Sequence, residues 1–160
     1  LKVPASAGLL LGLLLASATA FGAPPIQGTA SAIDGDTIDI REERIRLDAI
    51  DAPESSQLCI DAAGKRYRCG QKSAFALADM IGRSAVACQS KGRDRYKRTI
   101  AVCFKGTINL NAWMVAQGLA VAFQRYGIDY IAQEDEARIA RRGIWARSFE
   151  MPWDWRAQKK

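Results

Sequence analysis

Between Thr37 and Ala49, apolar side chains recur at every second position: Ile38 and Ile40, then Ile45, Leu47 and Ala49. Charged residues stand between them, Asp39 in the first run and Arg44, Arg46 and Asp48 in the second. A period of two marks a strand that buries one face and wets the other. Glu42-Glu43 is too short a separator for anything but a reversal, so the two runs form an antiparallel pair. A third run, Gly28 to Ile33, leads in through the turn Asp34-Gly35. A meander this tight, with one apolar face, closes that face by curling, which gives a curled sheet or a small barrel.

The remaining chain supplies the other parts of such a fold. Residues 55–70 are polar and are expected to form a long loop. Ala74, Leu77, Ala78 and Ile81 fall at i, i+3, i+4 and i+7, a helical stripe that Gly82 ends. Two strands, 84–89 and 99–104, flank a charged loop at 90–98. Asn109 is placed to cap a second helix with Leu110, Trp113, Met114 and Gln117 on one face and Gly118 at its end. A third helix is expected over 134–142. Trp153 and Trp155 in the tail read as aromatics that pack onto the body. The order βββ-α-ββ-α-α is compatible with an α+β class, a five-stranded Greek-key OB barrel with three helices.

The chain has 160 residues, enough for one domain with a real core. Its start reads differently from the rest. Lys2 precedes an apolar stretch at 7–16, and Ala18-Thr19-Ala20 fits a leader-peptidase site, so residues 1–20 are expected to be a signal peptide and 21–160 the domain. The apolar stretch falls short of the about 20 residues a membrane helix needs. Export suits the four cysteines, since an even count in an exported chain points to two disulfides. Three pairings are possible. If the runs that end at Cys88 and Cys103 are adjacent strands, those two cross-link them and Cys59–Cys69 closes the polar loop; each bridge would contribute about 3 kcal/mol. A zinc site is disfavoured, because the chain has no CxxC and no histidine.

The absence of histidine also excludes Ser-His-Asp hydrolysis and every histidine acid–base or histidine-nucleophile phosphodiesterase mechanism. Chemistry here rests on carboxylates, guanidiniums, a tyrosine or a metal. The net charge of +6 and pI near 9.4 favour polyanionic partners.

Two acidic knots stand out, Asp34-Gly35-Asp36-Thr37 and Arg46-Leu47-Asp48-Ala49-Ile50-Asp51-Ala52-Pro53-Glu54. Asp36 and Asp51, from two turns, are hard donors that with a backbone carbonyl and waters suit Ca²⁺. Arg46 lies on the polar face of the strand that leads to Asp51, and Arg98 closes Asp94-Arg95-Tyr96-Lys97-Arg98. A guanidinium is a planar, permanently charged fork that matches phosphate oxygens. Two of them opposite a cation would grip a phosphodiester, and Glu54, after the rigid Pro53, would orient or deprotonate a water.

This ordered set of motifs resembles the staphylococcal nuclease family. The stretch 109–120, NLNAWMVAQGLA, is similar to that family's second helix, and Gly143-Ile144-Trp145 to the end of its third. The resemblance implies an OB barrel with three helices and Ca²⁺-dependent, sugar-nonspecific hydrolysis of DNA and RNA that leaves 3′-phosphates. It implies Asp36, Asp51 and the Ala52 carbonyl as calcium ligands, Arg46 and Arg98 on the scissile phosphate, Glu54 on the water, and Arg95 and Tyr96 on a substrate phosphate. It further implies single-stranded or locally opened substrates, a monomer with no stable membrane association, and a secreted or periplasmic location. Lys97 stands where the family often has glycine, at a turn that needs positive φ. Phe123 and Tyr126 are the candidates for an aromatic that stacks on a base. Two other functions fit parts of the pattern: an OB module that binds nucleic acid or another polyanion without cutting, and a phosphodiesterase acting on an envelope or exopolysaccharide-related substrate.

Overall fold

The alternating runs form three antiparallel strands, β1 (Ile26–Ala32), β2 (Thr37–Ile40) and β3 (Glu43–Leu47), in a computed structural model that describes residues 24–159. The expected leader lies outside the described residues. Ala30 pairs with Ile40, and Ile38 with Ile45, so the apolar set of all three strands faces one side. Glu42 turns the chain at positive φ, with its amide on Asp39 Oδ1 at 3.0 Å.

Two short strands follow, β4 (Ile50–Asp51) and β5 (Leu58–Ile60), then β6 (Arg66–Arg68) and helix α1 (Cys69–Ile81). Strands β7 (Ala85–Arg93) and β8 (Thr99–Lys105) form a hairpin, and β1 pairs with β7. β3 and β8 then pair in parallel, Arg46 opposite Ile100, which closes β3-β2-β1-β7-β8 into a five-stranded mixed barrel. Ile38, Ile40, Ile45, Leu47, Val86 and Ala101 fill it. After β9 (Ile108–Asn109) come α2 (Leu110–Ala116), β10 (Val121–Ala122), α3 (Ile131–Ile139), a 3₁₀ turn at Gly143–Ala146 and α4 (Pro152–Gln158). None of the described helices is long and apolar enough to cross a membrane. Cys88 and Cys103 are directly opposite each other and bonded, and Cys59 is bonded to Cys69.

Several expectations change in detail. The stretch 55–70 is not one loop: β5 and β6 pair antiparallel, Cys59 opposite Tyr67, and the Cys59–Cys69 bridge ties the hairpin to the start of α1. Helix α1 begins at Cys69, and its buried residues include Ser73, Leu77 and Ile81, whereas Ala78 is exposed. The stripe is rotated because Ser73 is a core residue, its hydroxyl donating to the Leu119 carbonyl at 2.6 Å. In α2 the cap is as expected, Asn109 Oδ1 accepting from Ala112 N, but Asn111 and Val115 are buried and Gln117 is exposed. The Asn111 amide bonds the carbonyls of Asp48 and Ala101, so a polar side chain knits β3 and β8 from inside. Helix α3 starts at Ile131 and stops at Ile139, earlier at both ends than expected. A fourth helix, α4, joins the three expected ones, with Pro152 in its first turn. Strand β7 runs on to Arg93 past an irregularity at Ser90/Gly92, which shrinks the charged loop to a turn at Asp94–Arg98. There Lys97 has φ +67°, the left-handed conformation expected of the position.

Candidate active site

Both acidic knots meet at one end of the barrel because two glycines allow the backbone to close up. A Cβ on Gly35 would lie 2.6 Å from the Ala52 Cβ, and one on Gly70 would lie 1.8 Å from the Glu54 carbonyl oxygen. The first contact presses the Asp34–Thr37 turn against Ala52, whose amide donates to Asp36 Oδ2 at 2.9 Å. The second seats the 53–57 turn on the start of α1. Gln57, fully buried, holds that turn: its Oε1 accepts from Glu54 N at 3.2 Å, and its Nε2 donates to the Glu150 carbonyl at 2.6 Å.

Arg46 joins the knots. Its Nη1 donates to Asp36 Oδ1 at 2.6 Å, and its Nη2 to Asp51 Oδ1 at 3.2 Å and to the Ile50 carbonyl at 3.2 Å. Burial works against the guanidinium charge, but Asp36 and Asp51 outweigh it and hold its pKa above the usual value. Asp51, with no exposed surface, moves upward chiefly through burial and the nearby Asp36 charge, opposed by its arginine partners. Asp34, whose Oδ1 accepts from Asp36 N, is pushed up to about 6 by burial and then by Asp36.

The parallel β3–β8 pair brings the second arginine alongside. Arg98 Nε donates to Asp94 Oδ2 at 2.7 Å, and Asp94 Oδ1 also accepts the amides of Tyr96 and Arg98. Burial of Asp94 acts upward, yet these bonds leave its pKa below the ordinary carboxylate value. Arg95 and Arg98 lie over the Tyr96 ring, at 5.0 and 5.6 Å from its centroid.

A cleft of about 770 Å³ opens over both groups. Asp36, Arg46, Ala52, Glu54, Arg95, Tyr96 and Arg98 all line it, and Asp51 lies beneath, so every site residue expected from the sequence is gathered here. The lining also carries aromatic rings. Trp153 stacks on Phe123 at 5.2 Å, and Tyr126 meets Phe123 edge-on at 4.9 Å. Arg93, Arg125 and Arg156 add positive charge to the lining. Arg156 reaches in from α4, and its Nη1 and Nη2 bond Asp51 and Glu54.

Trp153 packs onto the body as expected, against Phe123 and the smaller core cluster, whereas Arg156 was not singled out from the sequence. The signal was present in the tail Pro152-Trp153-Asp154-Trp155-Arg156, a compact aromatic–arginine run. Nothing local connects that arginine to acids a hundred residues away.

The donor set suits a hard cation. Asp36 and Asp51 are spanned by one guanidinium, so two carboxylates face each other in a part-buried place where their repulsion favours a positive partner. No cluster of three or more His, Cys, Asp or Glu side chains occurs among the described residues. A bound ion would therefore also draw on carbonyl and water oxygens.

A family model described as "Staphylococcal nuclease homologue" matches residues 44–147. The chain is 41% identical over 142 residues to "Succinoglycan biosynthesis protein ExoI" of Rhizobium meliloti (strain 1021), covering 86% of this chain and 74% of that one. It is 36% identical to an "Uncharacterized endonuclease" of Haemophilus influenzae, over 79% of this chain and 70% of that one. It is 39% identical to "Micrococcal nuclease" of Shigella flexneri, over 80% of this chain and 78% of that one.

Proposed function

The chain belongs to the staphylococcal nuclease family, and from that premise we propose that it is a Ca²⁺-dependent, sugar-nonspecific nuclease that cuts DNA and RNA to leave 3′-phosphates. The observation that carries this reading is the knot itself: Asp36, Arg46, Asp51 and Glu54 in one bonded cluster, with Arg98 across the same cleft. The residues fit Ca²⁺ with Asp36, Asp51 and the Ala52 carbonyl as donors, and when bound it supplies positive charge against the phosphate.

The chain's own side chains do the rest. Arg46 and Arg98 present N–H groups to the non-bridging oxygens and meet the charge that builds on them in the in-line transition state. Glu54, whose amide is bonded to the buried Gln57, holds a water on the far side of the phosphorus from the departing oxygen and takes its proton. The P–O5′ bond breaks, and the 5′-oxygen leaves and takes a proton from solvent. The Phe123–Trp153 stack and the exposed Tyr126 line the same cleft and offer aromatic faces on which a base can stack. Such stacking favours single-stranded or locally opened polynucleotides. In this reading the protein is exported, secreted or periplasmic, and works as a monomer.

A second reading is favoured by one observation, the relative named for succinoglycan biosynthesis: a phosphodiesterase on an exopolysaccharide-related or envelope substrate. The test compares turnover of single-stranded DNA, duplex DNA and RNA with that of a small phosphodiester, in Ca²⁺ and in chelator. Calcium-dependent cleavage that is far faster on polynucleotides supports the nuclease. Equal or faster turnover of the small diester moves the assignment to the second reading. Tight binding with no products identifies a non-cutting OB module.

A further inference from the structure

Arg156 is the one residue at the centre of the cluster to which the proposed reaction gives no role. Its Nη2 donates to Asp51 Oδ2 at 2.7 Å, and its Nη1 to Asp51 Oδ1 at 3.0 Å and to Glu54 Oε1 at 2.9 Å. With Arg46 also on Asp51 Oδ1, both oxygens of a fully buried carboxylate are taken by guanidiniums. Arg156 is carried by the seven-residue helix α4. That helix is positioned by the Trp153–Phe123 stack and by the Gln57 bond to the Glu150 carbonyl. The Arg156 side chain keeps 36% of its surface exposed, so it covers the acids from the solvent side.

We propose that Arg156 is a displaceable latch that competes with a divalent cation for Asp51 while it positions Glu54. This rests on the Ca²⁺ reading above. Three of the about four lone-pair sites of the Asp51 carboxylate are taken by guanidinium N–H groups, and Arg156 sets a positive charge against both oxygens, so a hard cation gains full use of Asp51 only as the Arg156 fork lets go. Arg46 is held on two sides by Asp36 and the Ile50 carbonyl and stays put. Arg156 has a long side chain that is part-exposed, with solvent to turn into. It retains Glu54 through Nη1, so releasing Asp51 need not free the carboxylate that handles the water. Without the ion the latch neutralises buried charge; with the ion it becomes a positioning residue.

The prediction separates competition from mere tethering by its sign. Titrate Ca²⁺ alone into the oxidised full chain by calorimetry, for wild type, Arg156→Ala and Arg156→Lys. Removing a competitor tightens Ca²⁺ binding, by about tenfold for Arg156→Ala given the partial solvent screening of the pair. Arg156→Lys, a point charge that cannot fork both oxygens, falls between the two. Arg156→Ala also melts lower than wild type in chelator, and saturating Ca²⁺ shrinks that difference. If Arg156→Ala is poorly folded, Arg156→Lys carries the affinity test. Wild-type binding with equal or weaker affinity in the variants overturns the latch and leaves the metal reading standing. No Ca²⁺ uptake by any of the three proteins overturns both.

Discussion

The two walls of the cleft hold their arginines by opposite means. On one side Arg46 and Arg156 bind acids drawn from three separate segments, the 34–37 turn, β4 and the 53–57 turn, and Asp51 in the middle has no exposed surface. On the other side Arg98 is held by Asp94, four residues away on the same turn, and Tyr96 beside it is 66% exposed. The first wall is part of the tertiary structure; the second is a local arm. A charge in the knot is therefore both structural and chemical, whereas a charge on the arm can be removed with little effect on the fold.

The largest expected effect comes from the knot. Arg46→Ala leaves Asp36 and Asp51 facing each other without their shared partner, and should cost about 3 kcal/mol in urea unfolding. It should also lower turnover by about 10²–10³. Loss of activity without loss of stability would show that the knot is not structural. Arg98→Ala should lower turnover by a similar factor, about 10² or more, while stability stays within about 0.5 kcal/mol. A stability loss as large as that of Arg46→Ala would erase the contrast between the walls.

The Cys59→Ser/Cys69→Ser pair should cost about 2–3 kcal/mol, because that bridge closes a short loop beside the turn that holds Glu54. Its melting temperature, compared with that of reduced wild type, measures the share. Trp153→Ala should raise KM for polynucleotides by roughly 1 kcal/mol equivalent, since a stacking surface is lost. It should leave turnover of a small phosphodiester unchanged; an equal loss on both would show that the ring only supports α4.

The smallest effect is pH-dependent. Asp94 has its folded pKa below the ordinary 3.8. The unfolded chain therefore takes up a proton first as pH falls, so the contribution of Asp94 is complete above about pH 5 and is lost as pH drops through 3.8 and below. Asp94→Asn should remove that part of the acid slope and lower turnover modestly by freeing Arg98. An unchanged acid slope would contradict the local-arm description.

This contrast also explains what could be read in advance. Both carboxylate knots and the 94–98 arm are contiguous in sequence, with residue types that state their chemistry, and they were legible. The barrel was legible because Ile38, Ile40, Ile45 and Leu47 alternate cleanly. The α1 stripe was misphased because alanine marks neither face strongly and the buried Ser73 is polar but satisfied. The β5–β6 hairpin was invisible because its strands are three residues long and β6 is charged, held by a disulfide rather than by apolar pattern. Arg156 was missed for a related reason: its partners lie 102 and 105 residues away in sequence, and no local periodicity encodes such a contact.

The most direct test of the central claim is to map product ends from DNA cut by the oxidised protein and by Glu54→Gln, with circular dichroism to show that both are folded. The account expects 3′-phosphate ends that form with Ca²⁺ and not in chelator, and a loss of about 10² or more in the single-turnover rate of Glu54→Gln. Cleavage by Glu54→Gln at the wild-type rate, or products ending in 3′-hydroxyls, would contradict it.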